Sequence, residues 1–184
     1  MAMPSIADQH PPPPGTALVL DHPAEVRPPR DPSEWRQVAV LLHDFAEWIR
    51  AAAGIDLHHD QPGFSRELED LASVYDGGRA RMFAAFEQGL VMGTVAVRFH
   101  DDGSAELKRM YVRRAARGGG FADRLVEEVV ASARERGCRS VWLETVRGAM
   151  DRAIALYGRH GFVVSERDGG LTHHAVIVMQ RPLA

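Results

Sequence analysis

The stretch that decides the fold is AELKRMYVRRAARGGGFADRLVEEVVASARERG, residues 105–137. It divides into a strand, a basic glycine-rich turn and an amphipathic helix. Leu107, Met110, Tyr111 and Val112 give Ala105 to Val112 the composition of a largely buried strand. Arg113 to Gly120 cannot extend it, because Gly118, Gly119 and Gly120 leave the backbone unshielded and free to take positive φ. From Phe121, apolar residues recur at helical spacing: Leu125, Val126, Val129, Val130 and Ala133. Asp123, Arg124, Glu127, Glu128, Arg134, Glu135 and Arg136 form the opposite face, and Gly137 is positioned to end the helix.

A glycine turn at a helix start has a physical use. The first helical N–H groups lack intrahelical partners, and the macrodipole puts partial positive charge there. With no Cβ in the way, an anion can lie against them. Arg113, Arg114 and Arg117 add charge nearby. The chemistry suggested is pyrophosphate binding. A flexible basic loop that merely closes a strand–helix connection accounts for the glycines as well. Other phosphate motifs fit worse. No Lys-Ser or Lys-Thr follows the glycines, and a dinucleotide fingerprint needs a glycine where Asp123 stands. Glu144, at a later strand end, keeps a degenerate nucleotide site in view.

ELKRMYV, then RRAARGGGFADRL, then AIALYGRHGF together resemble the GNAT superfamily of acetyl-CoA-dependent N-acetyltransferases. That family's acyl-CoA signature is Arg or Gln, two residues, Gly, one residue, then Gly or Ala; Arg117, Gly120 and Ala122 meet it. Its second motif, an apolar-Tyr near a helix end followed by Gly-Phe, is met by Leu156, Tyr157, Gly161 and Phe162. The resemblance runs from about Arg79 to the C-terminus. It implies an α/β fold: a mixed, mostly antiparallel, twisted sheet of about seven strands flanked by helices, with a splayed central parallel pair. Acetyl-CoA is the implied co-substrate, without a metal.

The resemblance also implies roles. Pantetheine amides would pair with the backbone of Met110, Tyr111 and Val112. The pyrophosphate would lie on N–H groups of Gly118, Gly119, Gly120, Phe121, Ala122 and Asp123, beside Arg117. Asp123 departs from the neutral or basic residue common there, so its side chain is expected to point away. Tyr157 falls at the position of the acid that protonates the leaving thiolate. Glu106 and Glu144 each match a position used for the base, and a water relay with no single base is the third possibility. For either carboxylate the plain alternative is a solvated or ion-paired strand end. Met150 stands where many members have an asparagine that hydrogen-bonds the cofactor.

Outward from this stretch the chain reads as follows. Met1 to Gly15, with prolines from Pro11 to Pro14, is expected to be a disordered tail, and residues 16–184 a single domain with a first strand at Thr16–Leu20. Asp31-Pro32-Ser33-Glu34 is a helix start with a capping-box spacing. Trp35, Val38, Leu42, Phe45, Ile49 and Ala52 then mark a core face up to Gly54. Ile55 to Gly63 reads as a polar loop, and Ser65 to Tyr75 as one helix facing inward with Leu68, Leu71 and Tyr75. Arg81–Phe86, Leu90–Phe99 and the strand from Ala105 form an antiparallel meander. Ser140–Val146 follows the helix closely and should run parallel to the strand from Ala105. Ala149–His160 is the last main helix. Phe162–Ser165 and Ala175–Arg181 close the sheet as a pair.

Composition sets limits. With 184 residues and 45% hydrophobic content the chain can bury a sizeable core. A net charge of −3 argues against a dedicated nucleic-acid binder. Cys138 is the only cysteine, so no internal disulfide forms, which fits a cytoplasmic protein. No apolar run approaches the ~18 residues of a membrane span, and the first residues lack a secretory pattern. The His58-His59 and His173-His174 pairs lack metal-ligand spacing, so no metal is expected. The preferred function is acetyl transfer from acetyl-CoA to a primary amine, a small molecule slightly ahead of a peptide or protein, by a monomer or homodimer. The competing class is a non-catalytic acyl-CoA-binding sensor or scaffold.

Overall fold

The computed structural model describes residues 25–61, 63–76 and 78–183. The proline-rich tail and the strand expected at Thr16–Leu20 lie outside the described residues. In chain order the elements are β1 (Glu25–Arg27), α1 (Pro32–Ala53), α2 (Leu57–Asp60), α3 (Phe64–Glu69), α4 (Leu71–Tyr75), β2 (Ala80–Glu87), β3 (Leu90–Phe99), β4 (Ser104–Val112), α5 (Phe121–Glu135), β5 (Ser140–Val146), α6 (Asp151–Arg159), β6 (Val163–Ser165) and β7 (Val176–Pro182). A 3₁₀ turn, Arg114–Ala116, stands between β4 and α5.

The strands form one seven-stranded sheet in the order β1-β2-β3-β4-β5-β7-β6. β4 and β5 are parallel and the other neighbours antiparallel, as the short β4–α5–β5 crossover requires. Alternation along β2 fixes the two layers. Phe83 and Ala85 point into a core under α5 and α6; Met82, Ala84 and Phe86 point into a second core under α1 and α4. A third cluster, around Phe45, Ile49, Ile55, Leu57 and Phe64, continues the α1 side toward the end of β5.

Several elements differ from expectation, each for a local reason. The first described strand is β1, whose three residues pair along the edge of β2, too short a run to leave a sequence pattern. The expected helix over Ser65–Tyr75 is two helices. Asp70 leaves helical geometry at φ −150°, and its carboxylate accepts the Ser73 N–H to start α4. The expected polar loop holds α2, whose Asp56 cap accepts the His58 N–H while Ile55 and Leu57 are buried. Ala52 is exposed rather than part of the α1 core face.

The cap of α1 is half as expected. Asp31 accepts the N–H groups of Ser33 and Glu34 at 2.7 and 3.0 Å. Glu34 does not close a box on Asp31; it accepts the Arg30 N–H at 2.6 Å and grips the Arg27 guanidinium at 2.7 and 2.8 Å, tying α1 to β1. At the other end of α5, Gly137 takes φ 72°, and the Cys138 and Gly137 N–H groups close on the carbonyls of Ala133 and Arg134. No helix among the described residues is long and apolar enough to cross a membrane.

Candidate active site

The site is built where β4 and β5 part. Their parallel ladder has three rungs: Ser104 with Ser140, Ala105 with Val141, and Glu106 with Trp142. Beyond Glu106 and Trp142 the two strands diverge, although β5 stays paired with β7 as far as Val146. The facing edges of Leu107–Val112 and Leu143–Val146 are therefore open. Strand edges with unpaired N–H and C=O groups can take an extended ligand as an added strand.

A bulge in β4 sharpens the fork. The β3–β4 register slips between Thr94 and Ala96, and Arg109 adopts φ 57°. Before the slip, Glu106 and Lys108 share one face of the sheet; after it, Tyr111 packs on that face and Met110 and Val112 on the other. One inserted residue thus reverses the alternation. A long side chain in the left-handed region is strained by about 1–3 kcal/mol and has to be held. Arg109 is held by a two-pronged pair with Glu67, both bonds 2.8 Å, by its own carbonyl accepting the Thr94 hydroxyl at 2.9 Å, and by the Phe64 ring 4.6 Å from its guanidinium. Tyr75 donates its hydroxyl to Glu67 Oε1, the oxygen that also accepts from Arg109 Nε. Burial opposes ionisation of Glu67, but Arg109, and then Tyr75, hold its carboxyl below the ordinary range.

On one side of the fork is a pocket of about 710 Å³, within the range of small-ligand sites. Met110, Tyr111 and Val112 border it, as do Arg117, Gly118, Gly120, Phe121, Ala122 and Asp123, together with the first turns of α6. Gly118 and Gly120 take φ 89° and 76°, and nothing lies within 4 Å of where a Cβ would stand on either. The helical ladder of α5 begins with Arg124 N–H to Gly120 C=O at 3.2 Å, so the N–H groups of Phe121, Ala122 and Asp123 precede it. A diphosphate fits this bare cradle, which a side chain would fill.

Not every residue of the turn faces the pocket. The Gly119 N–H goes to the Ala116 carbonyl at 3.4 Å. Arg113 is drawn off to the Val91 carbonyl and to Asp44, 3.5 Å away, whereas Arg117 bonds the Val112 carbonyl at 3.2 Å beside the pocket. The Asp123 carboxylate turns to His160 at 3.0 Å and Arg159 at 3.2 Å, across the start of α5. The bond from His160, against a smaller opposing effect of burial, and then Arg159 keep it below its ordinary value.

On the other side of the fork lie Glu106 and Glu144. They border a small cavity of about 70 Å³ between α1 and the parting strands, and a wider pocket of about 500 Å³ opening past α3. Met150 borders both the small cavity and the pocket of the glycine turn. Glu106 is 8% exposed, with Lys108 at 3.0 Å and His100 at 3.3 Å. Burial foremost, and then the neighbouring Arg109 and Arg98 charges, lower the Lys108 ammonium against the pull of Glu106. Glu144 anchors the β6–β7 connection, accepting the N–H groups of Gly170 and Leu171 at 2.6 and 2.8 Å. A Cβ on Gly169 would collide with that carboxylate, so glycine lets the connection close over the sheet.

Tyr157 stands apart from both pockets. It is 2% exposed in the α6 core, its ring 5.9 Å from Phe162, while Ala153 and Leu156 of the same helix, and Met150 just before it, border the glycine-turn pocket. Burial raises its hydroxyl well above the ordinary value, so it is protonated across the neutral range.

Sequence reasoning missed Arg109, Glu67, Lys108, Arg98 and Trp142. The available signal was Lys108-Arg109 interrupting an apolar strand, since adjacent charges in a buried strand need partners. Which partners these are depends on contacts between distant segments.

Comparison with known proteins bears on this arrangement. The family model for the acetyltransferase (GNAT) family matches residues 42–162. An IAA acetyltransferase of Azospirillum brasilense is 36% identical over 102 residues, 55% of this chain and 65% of the relative. An N-alpha-acetyltransferase, MAK3, of Arabidopsis thaliana is 33% identical over 88 residues, 46% of each chain. The chain thus spans from about half to just under two thirds of these relatives' lengths. Among solved structures, a GNAT-family acetyltransferase of Staphylococcus aureus superposes with a TM-score of 0.71 at 16% identity, over 88% of this chain and all of that one. The paia N-acetyltransferase of Thermoplasma acidophilum, in complex with coenzyme A, gives 0.64 at 16% identity over 88% and 99% of the two chains. The superpositions show that these neighbours share the fold, and the match over 42–162, more than half of the chain, establishes that this chain belongs to the GNAT family of acetyltransferases.

Proposed function

We propose that this protein transfers the acetyl group of acetyl-CoA to a primary amine by direct attack in a ternary complex. One observation carries the reading: the glycine-turn pocket and the carboxylate-lined pockets lie on opposite sides of the same β4–β5 fork, and Met150 borders both sides. A donor held along the open edge of β4 and an amine held beside Glu106 would meet there.

In this reading the open backbone of Met110–Val112 takes the pantetheine arm. The amides at the start of α5 take the pyrophosphate, with Arg117 beside them. When bound, acetyl-CoA supplies the activated acyl group. Glu106 removes the ammonium proton, because only the neutral amine attacks. A backbone N–H near Met110 stabilises the developing oxyanion. The family position assigns Tyr157 the proton for the departing thiolate; burial, which raises its hydroxyl, makes it a weaker donor, and its ring lies behind the pocket lining. Glu144 is the second candidate base; its two backbone bonds favour a role in anchoring the β6–β7 connection.

The alternative is a binding module that retains the acyl-CoA slot without turnover. The burial of Tyr157 away from the pocket favours it. Thiol release from acetyl-CoA over a panel of amines, set beside calorimetric acetyl-CoA binding, separates the two. Amine-dependent release supports the transferase; binding with no release on any amine supports the module.

A further inference from the structure

The pocket of about 500 Å³ beyond the fork carries information about the acceptor. Arg98, Glu106 and Trp142 occupy one row across three adjacent strands, Arg98 opposite Glu106 and Glu106 opposite Trp142. Residues in one row share a face, so all three project toward the same pocket, which each of them borders. Lys108 and Glu144, two residues further along their strands, extend that face.

The charges on this wall are unequally engaged. Each carboxylate already has partners. Glu67 holds Arg109 with both oxygens. Glu106 holds Lys108 and His100, and Glu144 holds two backbone N–H groups. Asp60 accepts the Asp56 N–H at 2.8 Å. The half-buried Arg98, in contrast, has no carboxylate partner among the described residues, and neither has Arg66 at the α3 side of the same pocket. The guanidinium groups of this wall that lack a close carboxylate are thus Arg98 and Arg66, while Glu144 and Asp60 meet only neutral N–H groups. A partly buried guanidinium presents a planar fork of donors that fits a carboxylate or phosphate. Arg98 lies one strand, about 4.8 Å, from Glu106.

We propose that the acceptor amine carries an anionic group, specifically a carboxylate, a few bonds from its nitrogen. Arg98, with Arg66 on the α3 side of the same pocket, binds that group, and the nitrogen lies at Glu106. Amino carboxylic acids are then the substrate class, and diamines and neutral amines are disfavoured. The assignment of the nitrogen rests on the acetyl-transfer reading; the anion site does not.

The test compares amino carboxylic acids, their own carboxamides, 2-aminoethyl phosphate and diamines as acceptors. The acid is expected to exceed its carboxamide in kcat/KM by about 10–100-fold, the worth of hydrogen bonds to a charged group. Arg98→Gln is expected to bring that ratio close to one, and Arg98→Lys, which keeps the charge, to retain a clear preference. Equal use of acid and carboxamide, or a ratio that Arg98→Gln does not change, overturns the proposal. Preference for the phosphate over the carboxylates overturns the carboxylate assignment. Calorimetric binding of the same compounds to the protein needs no turnover. Acids that bind in an Arg98-dependent way without acetyl transfer leave the anion site standing and remove the transferase reading. Transfer with no preference for acids does the reverse.

Discussion

Glu67 and Arg109, 42 residues apart in the chain, form a two-pronged ion pair with both side chains 5% exposed. The pair fastens α3 to the one residue of β4 that turns left-handed. Glu67→Gln leaves the guanidinium buried without a counter-charge, which is expected to cost about 3–5 kcal/mol in urea unfolding. The folded carboxyl titrates below its ordinary value, so its contribution is complete above the unfolded pKa and is lost as pH falls through the folded one. The variant should therefore lack part of the acid-side decline in stability. A loss below about 1 kcal/mol, typical of an exposed pair, would contradict this account.

Gly120→Glu tests the cradle. The residue sits at φ 76°, where a side chain costs about 1–2 kcal/mol, so the protein should remain folded but less stable. Acetyl-CoA affinity is expected to fall at least tenfold, about 1.4 kcal/mol, because the new carboxylate lies where the diphosphate would sit. Gly120→Asn, which tolerates this conformation and adds no charge, should lose less. Calorimetry with both variants decides; unchanged affinity in Gly120→Glu removes the turn from the site.

Glu106→Gln is expected to lower kcat by roughly 100-fold or more and to flatten the rise of rate with pH, leaving acetyl-CoA affinity nearly unchanged. If Glu144→Gln has that effect instead, the proton passes through Glu144. If neither variant alters the pH profile, a water relay serves the amine.

Tyr157→Phe keeps the ring that packs on Phe162 and removes the hydroxyl. General-acid assistance is worth about 10²–10⁴-fold, and a thiolate leaves partly unaided, so a loss near the low end, about 10–100-fold, is expected. If the hydroxyl is the acid, the loss should appear in kcat, because the group would then act in the transition state. Wild-type turnover in the folded variant would return Tyr157 to a packing role.

Much of the fold was legible because its signals are local. The alternation of β2, β3 and β5, the helical period of α1, α5 and α6, the Asp31 cap and the glycines ending in Gly120 each speak within a few residues. The break at Asp70 was not, because an aspartate within an apolar helical period reads as one polar position until its carboxylate is seen capping α4. Nor was β1, whose three residues are a strand because β2 lies beside them.

The sequence by itself determined the strand–turn–helix unit of residues 105–137, the parallel crossover that follows it, and the family. These depend on chain spacing and on the period of apolar residues, which a helix or strand imposes wherever it folds. Only the tertiary structure decided that Arg109 is left-handed and paired with Glu67, that Tyr157 is enclosed in the α6 core, and that Arg98, Glu106 and Trp142 fall in one row. The reason is register. Which residues face one another across strands is set by pairing between distant segments, and a single inserted residue in β4 reverses the faces of all that follow it.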